Sequence, residues 1–337
     1  MGECRRAIRL MALVFFGGGL IFAAVAWFKG DIFYFRLATE ALIFGGLALS
    51  VDLLLGKTGL LPLGQALFFG AGAYVSALVL KHWSDSLWVA LAVAVVFTLA
   101  LSIVAGLIAI RSKGVYFALI SFGLAQVVSK IVFNTRELGA SDGIIGVPAA
   151  AIAGSLTSAS AGGFFLCVLA FILVVYLGLQ WLMDTPVGRQ MEALRANEQR
   201  LSFLGVDPRQ TKMVAFVMAA VIAGSSGALY PMLRGFVSPE LLFFQVSGNA
   251  VINVIVGGTG TFIGSLYGSA LLTVLKSVVG SYTPHHHIVI GTLFVVVVIV
   301  APKGLVGGLA PWLEARLKGS AGERSDRSVP NATKGSM

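Results

Sequence analysis

Long apolar runs alternate with short polar segments along most of this chain. Several of the runs reach the roughly 20 residues that an α-helix needs to cross the hydrocarbon of a bilayer. Because backbone N–H and C=O groups find no water inside a bilayer, the pattern predicts an all-α, polytopic bundle of transmembrane helices. About ten crossings are predicted, near residues 11–28, 37–55, 59–80, 87–110, 114–133, 163–182 and 213–233, in two short segments within 246–280, and near 287–301.

The stretch 246–280 is the irregular part of this pattern. Residues 257–260 interrupt an apolar segment that is too short for two full crossings. The pattern therefore allows either two short helices or a broken, re-entrant helix, which other protein or a water-filled cavity must shield. Gly260, Gly264 and Gly268 then recur every four residues, and such small-residue stripes let helices approach closely. Packing within the chain and contact with another subunit both explain this stripe.

Composition supports a membrane protein and indicates its orientation. Hydrophobic residues make up 57% of the chain and charged residues 12%, and the mean hydropathy is +0.91. Most of the 24 Lys and Arg residues fall in segments on one side of the predicted bundle, which makes that side cytoplasmic and places both termini there. Because the basic residues gather at membrane edges, nucleic-acid binding is not predicted. The expected location is therefore a membrane.

The two ends of the chain differ from the bundle between them. Arg5, Arg6 and Arg9 precede an apolar run that ends in small residues, which is typical of both a cleaved signal peptide and a first spanning helix. From residue 316 onward the chain is rich in charge, Gly and Ser. We therefore expect a transmembrane domain over 1–312 and a disordered cytoplasmic tail over 313–337.

The segment 184–212 is a large polar loop on the predicted cytoplasmic side. Thr185 followed by Pro186 is typical of a helix N-terminus, and Asp207 followed by Pro208 repeats it, while Gly205 offers a stop between them. The intervening residues predict one short amphipathic helix. Its apolar face would lie on lipid headgroups or in a groove of a cytoplasmic partner. The apolar face comprises Met191, Leu194, Leu201 and Leu204, and the polar face Arg189, Glu192, Arg195, Gln199 and Arg200.

Other patterns argue against catalysis by this chain. The sequence Gly56-Lys57-Thr58 lacks the earlier glycine of a phosphate-binding loop, so no nucleotide site is predicted. Consecutive histidines at 285–287 would point in different directions, and Cys4 and Cys167 have no metal-ligand spacing, so no metal site is expected. Polar residues inside apolar runs carry more interest, because each needs a partner or water. These are Asp52, Gln126, Asn249 and Asn253.

Three ordered motifs resemble the permease family of branched-chain amino acid ABC transporters, of the type that pairs with a second, different permease. They lie at 56–74, ending in Gly-Ala-Tyr, at 113–126, and at 137–148. The resemblance covers roughly residues 37–307. It implies that the segment 184–212 docks on an ATP-binding subunit through a coupling loop containing Gly188, Arg189, Leu194, Arg195, Asn197, Glu198, Leu201, Gly205 and Lys212.

The resemblance also implies a function and a set of partners. The chain would be a non-catalytic permease subunit of an importer for branched-chain or related small amino acids. It would act with a second permease, two ATPase subunits that bind ATP and Mg, and a periplasmic solute-binding protein, and would bind no cofactor itself. The translocation path would include Asp52, Gln65, Tyr116, Gln126, Asn249 and Asn253.

Departures from the family pattern leave the substrate open. Asp52 stands where the family usually has Asn, and Pro62 and Gln65 stand where it usually has Ser and His. Relatives that resemble this chain also move urea or short amides. A different class, an ion-coupled secondary transporter acting alone, would use Asp52 as its proton or cation site.

Overall fold

The computed structural model describes residues 2–29, 32–112, 114–153, 156–282, 288, 291–292, 299 and 304–308. The crossing predicted near 287–301 falls largely outside these residues, and the histidines at 285–287 and the tail 313–337 fall wholly outside them. The α-helices between residues 2 and 282 of the described part are α1 (Gly2–Lys29), α2 (Ile32–Asp52), α3 (Gln65–His82), α4 (Leu87–Ala109), α5 (Val115–Asn134), α6 (Ala161–Asp184), α7 (Pro186–Ala196), α8 (Glu198–Phe203), α9 (Pro208–Ala228), α10 (Tyr230–Arg234), α11 (Phe244–Gly257) and α12 (Ile263–Tyr282).

Most of these helices are long enough to cross a membrane. Seven stretches within the described residues combine the required length with high hydropathy: Ile8–Trp27, Ile32–Thr58, Leu87–Ala109, Val115–Asn134, Ala161–Asp184, Pro208–Arg234 and Ile263–Ser281. The molecule is thus a mostly helical, polytopic bundle, as the hydropathy pattern predicts.

The centre of the bundle is built around α2 and α3. Helix α2 packs against α6, α9, α11 and α12, and its Ile43, Leu47 and Leu49 are fully buried. Helix α3 packs against α4 and α9. Gly72 on α3 and Gly227 on α9 make the contact between these two helices close, because a Cβ atom at either position would overlap backbone of the other helix.

The connection between α2 and α3 differs from the predicted crossing at 59–80. Helix α2 continues into a π-helix over Leu53–Thr58, which stops at Gly59 in the left-handed conformation with φ of 74°. Residues 59–64 are not helical, and α3 begins only at Gln65. Pro62 and two glycines in this segment break the helical hydrogen-bond ladder, which explains the late start.

The irregular stretch 246–280 contains one short helix and one long helix, so the prediction of two short helices is wrong for the second. The 14 residues of α11 span about 21 Å, less than the hydrocarbon thickness, whereas the 20 residues of α12 span about 30 Å. Before α11, a short 3₁₀ helix at Pro239–Leu242 contains Leu241 and Leu242, which are buried against the rest of the chain.

The glycine stripe is shorter than predicted and faces the chain itself. Gly260 lies in the turn between α11 and α12 with φ of 82°, so it does not belong to the helical stripe. Gly264 and Gly268 lie on α12 against the backbone carbonyls of Gly257 and Asn253 on α11. In this structure the stripe therefore packs two helices of one chain.

Four very short strands correct the expectation of a purely helical chain. They are β1 (Ile144–Ile145), β2 (Ala151–Ala153), β3 (Leu156–Thr157) and β4 (Phe236–Val237), and they form the antiparallel pairs β1 with β4 and β2 with β3. All four lie in connections at the end of the bundle where α5 ends and α6 begins. We call this the strand end, and the opposite end, with residues 184–212, the α7 end.

Candidate functional site

The polar segment 184–212 folds as two helices rather than one. Thr185 caps α7 by accepting the Gly188 N–H at 3.4 Å, with Pro186 in the first helical position. Asn197 has an extended backbone and caps α8 by accepting the Arg200 N–H at 3.0 Å. The sequence predicted one continuous helix through Asn197. The helix ends there because the Asn197 side chain binds an N–H group that a continuing helix would pair with a backbone carbonyl.

The apolar face of this helix pair packs on the chain's own bundle. Met191, Leu194 and Leu201 are buried in the structure, and Gly188 lies directly against the backbone of α6. Leu204 does not belong to that face, since it is 72% exposed, and the neighbouring Phe203 is 89% exposed. The exposed surface of the pair is therefore its polar face together with these two apolar residues.

Ionic contacts tie the helix pair to its neighbours. Lys57 Nζ lies 3.2 Å from Glu192 Oε1, which links the π-helix at the end of α2 to α7. Lys212, whose side chain is almost fully buried, lies 2.9 Å from Glu198 Oε1 and links α9 to α8. The guanidinium of Arg195 donates a hydrogen bond to the carbonyl oxygen of Gly56. Movement of α7 would therefore displace the end of α2.

Asp52 extends these contacts to the turn between α11 and α12. The carboxylate is fully buried and accepts the N–H of Gly260 at 2.6 Å through Oδ1 and the N–H of Phe262 at 2.9 Å through Oδ2. Phe262 has φ of 56°, which is rare for a non-glycine residue and requires support from its surroundings. Engagement of both oxygens by backbone N–H groups gives Asp52 a structural role at this turn.

These contacts form one connected cluster, which we call the helix-pair junction: Asp52, Gly56, Lys57, Glu192, Arg195, Gly260 and Phe262. Lys57 Nζ also lies 5.4 Å from the centre of the Phe262 ring. The junction joins three elements that are far apart in sequence, namely α7, the end of α2 and the α11–α12 turn. Its geometry allows a displacement at the surface of the α7 end to reach the short helix α11.

Three other residues predicted for a translocation path, Gln65, Tyr116 and Gln126, do not lie together. Gln65 begins α3 and is buried, and neither its side-chain oxygen nor its nitrogen has a hydrogen-bond partner among the described residues. Next to it, the Ala66 N–H donates to Ser247 Oγ of α11 at 2.8 Å. Tyr116 and Gln126 lie on α5, where Tyr116 is exposed and Gln126 borders an open groove near the strand end.

Asn249 and Asn253 are the two predicted residues that the structure brings into one cavity. Both line a crevice between α2, α11 and α12. Glu40 and Lys276 line the same crevice, and the sequence interpretation did not select them. Each interrupts an apolar run, which is the same criterion that selected Asn249, so the pattern contained enough information to find them.

This chain is similar to known proteins along most of the helical bundle. A family model described as the branched-chain amino acid transport system permease component matches residues 33–298. The high-affinity branched-chain amino acid transport system permease protein LivM of Escherichia coli (strain K12) is 30% identical over 333 residues, covering 91% of this chain and 78% of LivM. The LivH permease protein of the same strain is 25% identical over 123 residues, covering 36% of this chain and 40% of LivH. The autoinducer 2 import system permease protein LsrC of Yersinia pseudotuberculosis is 34% identical over 116 residues, covering 33% of this chain and 32% of LsrC.

Proposed function

This chain belongs to the family of branched-chain amino acid transport permease components, and we propose that it is one of two permease subunits of an ATP-driven importer for branched-chain or related small amino acids. The family match confirms the resemblance seen in the sequence motifs. Similarity to LivM along 91% of the chain supports this substrate class over urea or short amides. The chain is a multi-pass membrane protein, and the inner membrane of a bacterium is its proposed location.

The proposed importer contains other polypeptides. A second, different permease would complete the translocation path, and LivH, which also matches part of this chain, is a permease of that kind of system by its name. Two ATPase subunits would bind ATP and Mg, and a periplasmic solute-binding protein would deliver the amino acid. This division of labour accords with the lack of a phosphate-binding loop at Gly56 and Lys57.

The observation that carries the proposal is the helix pair α7–α8. Its buried face fixes it to the bundle, while its polar face and the exposed Phe203 and Leu204 remain uncovered in the single chain. A large exposed apolar residue beside charged groups is typical of a surface that another protein covers. We assign this surface to an ATPase subunit.

The helix-pair junction supplies a route from ATP binding to substrate movement. Closure of the two ATPase subunits would displace α7, and Arg195 and Glu192 would carry that displacement to the end of α2. Asp52 would pass it to the α11–α12 turn, because it holds two backbone N–H groups of that turn. Rigid-body shifts of this kind alternate access between the two sides of the membrane.

The proposed orientation places the α7 end in the cytoplasm, and surface labelling tests it. We expect a cysteine at Arg200 to react with a membrane-impermeant maleimide only after the membrane is opened. A cysteine at Ser141, near the strand end, should react in intact spheroplasts. Both positions are exposed, so in a chain whose Cys4 and Cys167 are replaced by serine, access to the reagent alone decides the result. The opposite pattern of labelling would invert the topology.

Docking of the ATPase is tested at the exposed apolar pair. We expect Phe203→Ser combined with Leu204→Ser to reduce co-purification of the ATPase and leucine uptake at least tenfold, since interface aromatics often contribute about 2 kcal/mol or more. Measurements of both quantities in the same preparation check this expectation. Gln199→Ser changes a polar residue of the same surface, and it should reduce both quantities far less, because polar residues around an apolar anchor contribute little to binding.

A membrane-surface role for Phe203 and Leu204 gives a different result. The double variant would then keep its ATPase and its uptake, and the docking assignment would be wrong. Leu194→Glu and Leu201→Glu would not test docking. Both residues are buried against the chain's own bundle, so a carboxylate there would detach the helix pair from the permease itself.

A further inference from the structure

A crevice between α2, α11 and α12 contains charged groups and apolar groups at different positions along its length. It consists of two cavities of about 120 Å³ and 520 Å³ that share Glu40, Thr273 and Lys276 in their walls. Glu40 lies eight residues after the start of α2, about 12 Å along the helix, and Lys276 lies about 9 Å before the end of α12. Both charges thus lie along spanning helices, in the half nearer the strand end, where Glu40 is partly buried and Lys276 is exposed in the single chain.

The larger cavity is electropositive. Arg36, Arg234 and Lys276 line it together with a single carboxylate, Glu40. Arg234 Nη2 donates to Glu40 Oε2 at 2.6 Å, so the charges of Arg234 and Glu40 neutralise each other. Within the described residues, neither Arg36 nor Lys276 makes a hydrogen bond or an ion pair. Both side chains are exposed in the single chain. Ionisable residues along spanning helices generally face water or other protein and often mark the path of an ion or a substrate.

The smaller cavity combines an apolar wall with two amides. Asn249 and Asn253 provide the amides, and Asn253 is buried. Aliphatic and aromatic side chains form the rest of the wall next to Glu40 and Lys276. They are Phe44, Val246, Ala250, Ile252 and Leu272.

We propose that this crevice binds the zwitterionic head and the aliphatic side chain of the transported amino acid. The inference rests on the proposed function and adds a site to it. Lys276 and Arg36 would bind the carboxylate, and the free oxygen of Glu40 with the Asn249 amide would accept from the ammonium group. The branched side chain would lie against Phe44 and Leu272. Urea carries neither charge nor an aliphatic group, so this lining favours an amino acid over urea.

The test uses photo-leucine, a leucine analogue with a photoreactive diazirine, and the full chain in nanodiscs without any partner. We expect illumination to label peptides of α2, α11 and α12. Excess leucine should abolish the labelling. Excess 4-methylpentanoate, which lacks the amino group, and 3-methylbutylamine, which lacks the carboxylate, should each protect at least tenfold less well.

Variants locate the site. Lys276→Met should lower the labelling at least tenfold, and Lys276→Arg should restore most of it, because the positive charge returns. Lys81→Met is the matched control, since Lys81 is an exposed lysine at the strand end of α3, outside the crevice. All variants must elute as the wild type does in size-exclusion chromatography. The proposal is wrong if Lys276→Met leaves the labelling unchanged. It is also wrong if phosphatidylglycerol prevents the labelling and leucine does not, and that result identifies a lipid site.

Failure of this inference differs from failure of the proposed function. ATP-driven leucine uptake by the assembled importer with an unchanged KM in Lys276→Met would remove the crevice from the path and leave the permease function intact. Loss of ATPase association in the wild type would contradict the permease function, whatever photo-leucine labels.

Discussion

Replacing Asp52 with leucine is expected to abolish leucine uptake by the assembled importer, whereas Asp52→Asn should retain part of it. Leucine leaves the buried N–H groups of Gly260 and Phe262 without an acceptor, at a cost of about 1–3 kcal/mol for each. Asparagine has a similar shape and keeps one oxygen acceptor. Uptake should therefore fall at least tenfold in the leucine variant, which corresponds to about 1.4 kcal/mol, and less in the asparagine variant.

The ranking of these two variants separates the proposed role of Asp52 from an ion site. A proton or cation site needs an ionisable carboxylate, so it would lose function equally with asparagine and with leucine. Ser50→Ala is the control, because Ser50 is buried on the same helix but donates only to the Leu47 carbonyl one turn away. ATP hydrolysis should be measured with uptake. Continued hydrolysis without uptake in Asp52→Leu would show that the junction couples the two.

Gly268→Leu should prevent assembly of the folded bundle, whereas Gly280→Leu on the same helix should be tolerated. A Cβ atom at Gly268 would overlap the Asn253 carbonyl, and the backbone N of Gly257 would be only 3.0 Å away. A side chain can adopt another rotamer to avoid an overlap, but backbone atoms cannot. The overlap would therefore force α11 and α12 apart. Overpacking usually costs about 1–3 kcal/mol, and a full leucine side chain against backbone lies at or above that range.

Size-exclusion chromatography and thermal unfolding of the purified protein measure this difference. Gly280 is the matched control, because nothing lies within 4 Å of a Cβ atom built there. We expect Gly268→Leu to give little monodisperse protein and Gly280→Leu to elute and unfold like the wild type. Equal behaviour of the two variants would show that the close contact of α11 and α12 does not hold the bundle together.

Much of the fold follows from local sequence. Apolar runs near 87–110, 114–133 and 163–182 predict α4, α5 and α6 within a few residues of their bounds, because the length of a spanning helix is set by the thickness of the hydrocarbon. Both Thr185 and Asp207 cap helices as predicted, each followed by proline. Such caps depend only on side chains within one helical turn.

Less of the candidate site could be derived in this way. The sequence predicts that Met191, Leu194 and Leu201 share an apolar face, but a stripe of this kind fits a lipid surface, a partner or the chain itself equally well. In the structure this face packs against the chain's own bundle. The exposed apolar residues of the helix pair are Phe203 and Leu204. Polarity within an apolar run marks Asn249, Asn253, Glu40 and Lys276 alike. That all four line one crevice was decided only by the packing of α2 and α12 against α11.

Sequence by itself determined that this chain spans a membrane, where most of its helices lie, and that a capped polar segment interrupts them. The tertiary structure alone decided the role of Asp52, whose hydrogen-bond partners lie 208 and 210 residues further along the chain. Hydropathy and capping are local properties, set by neighbouring residues and the surrounding solvent. The partner of a buried polar group is set by the packing of helices that are distant in sequence, and no pattern within either helix specifies it.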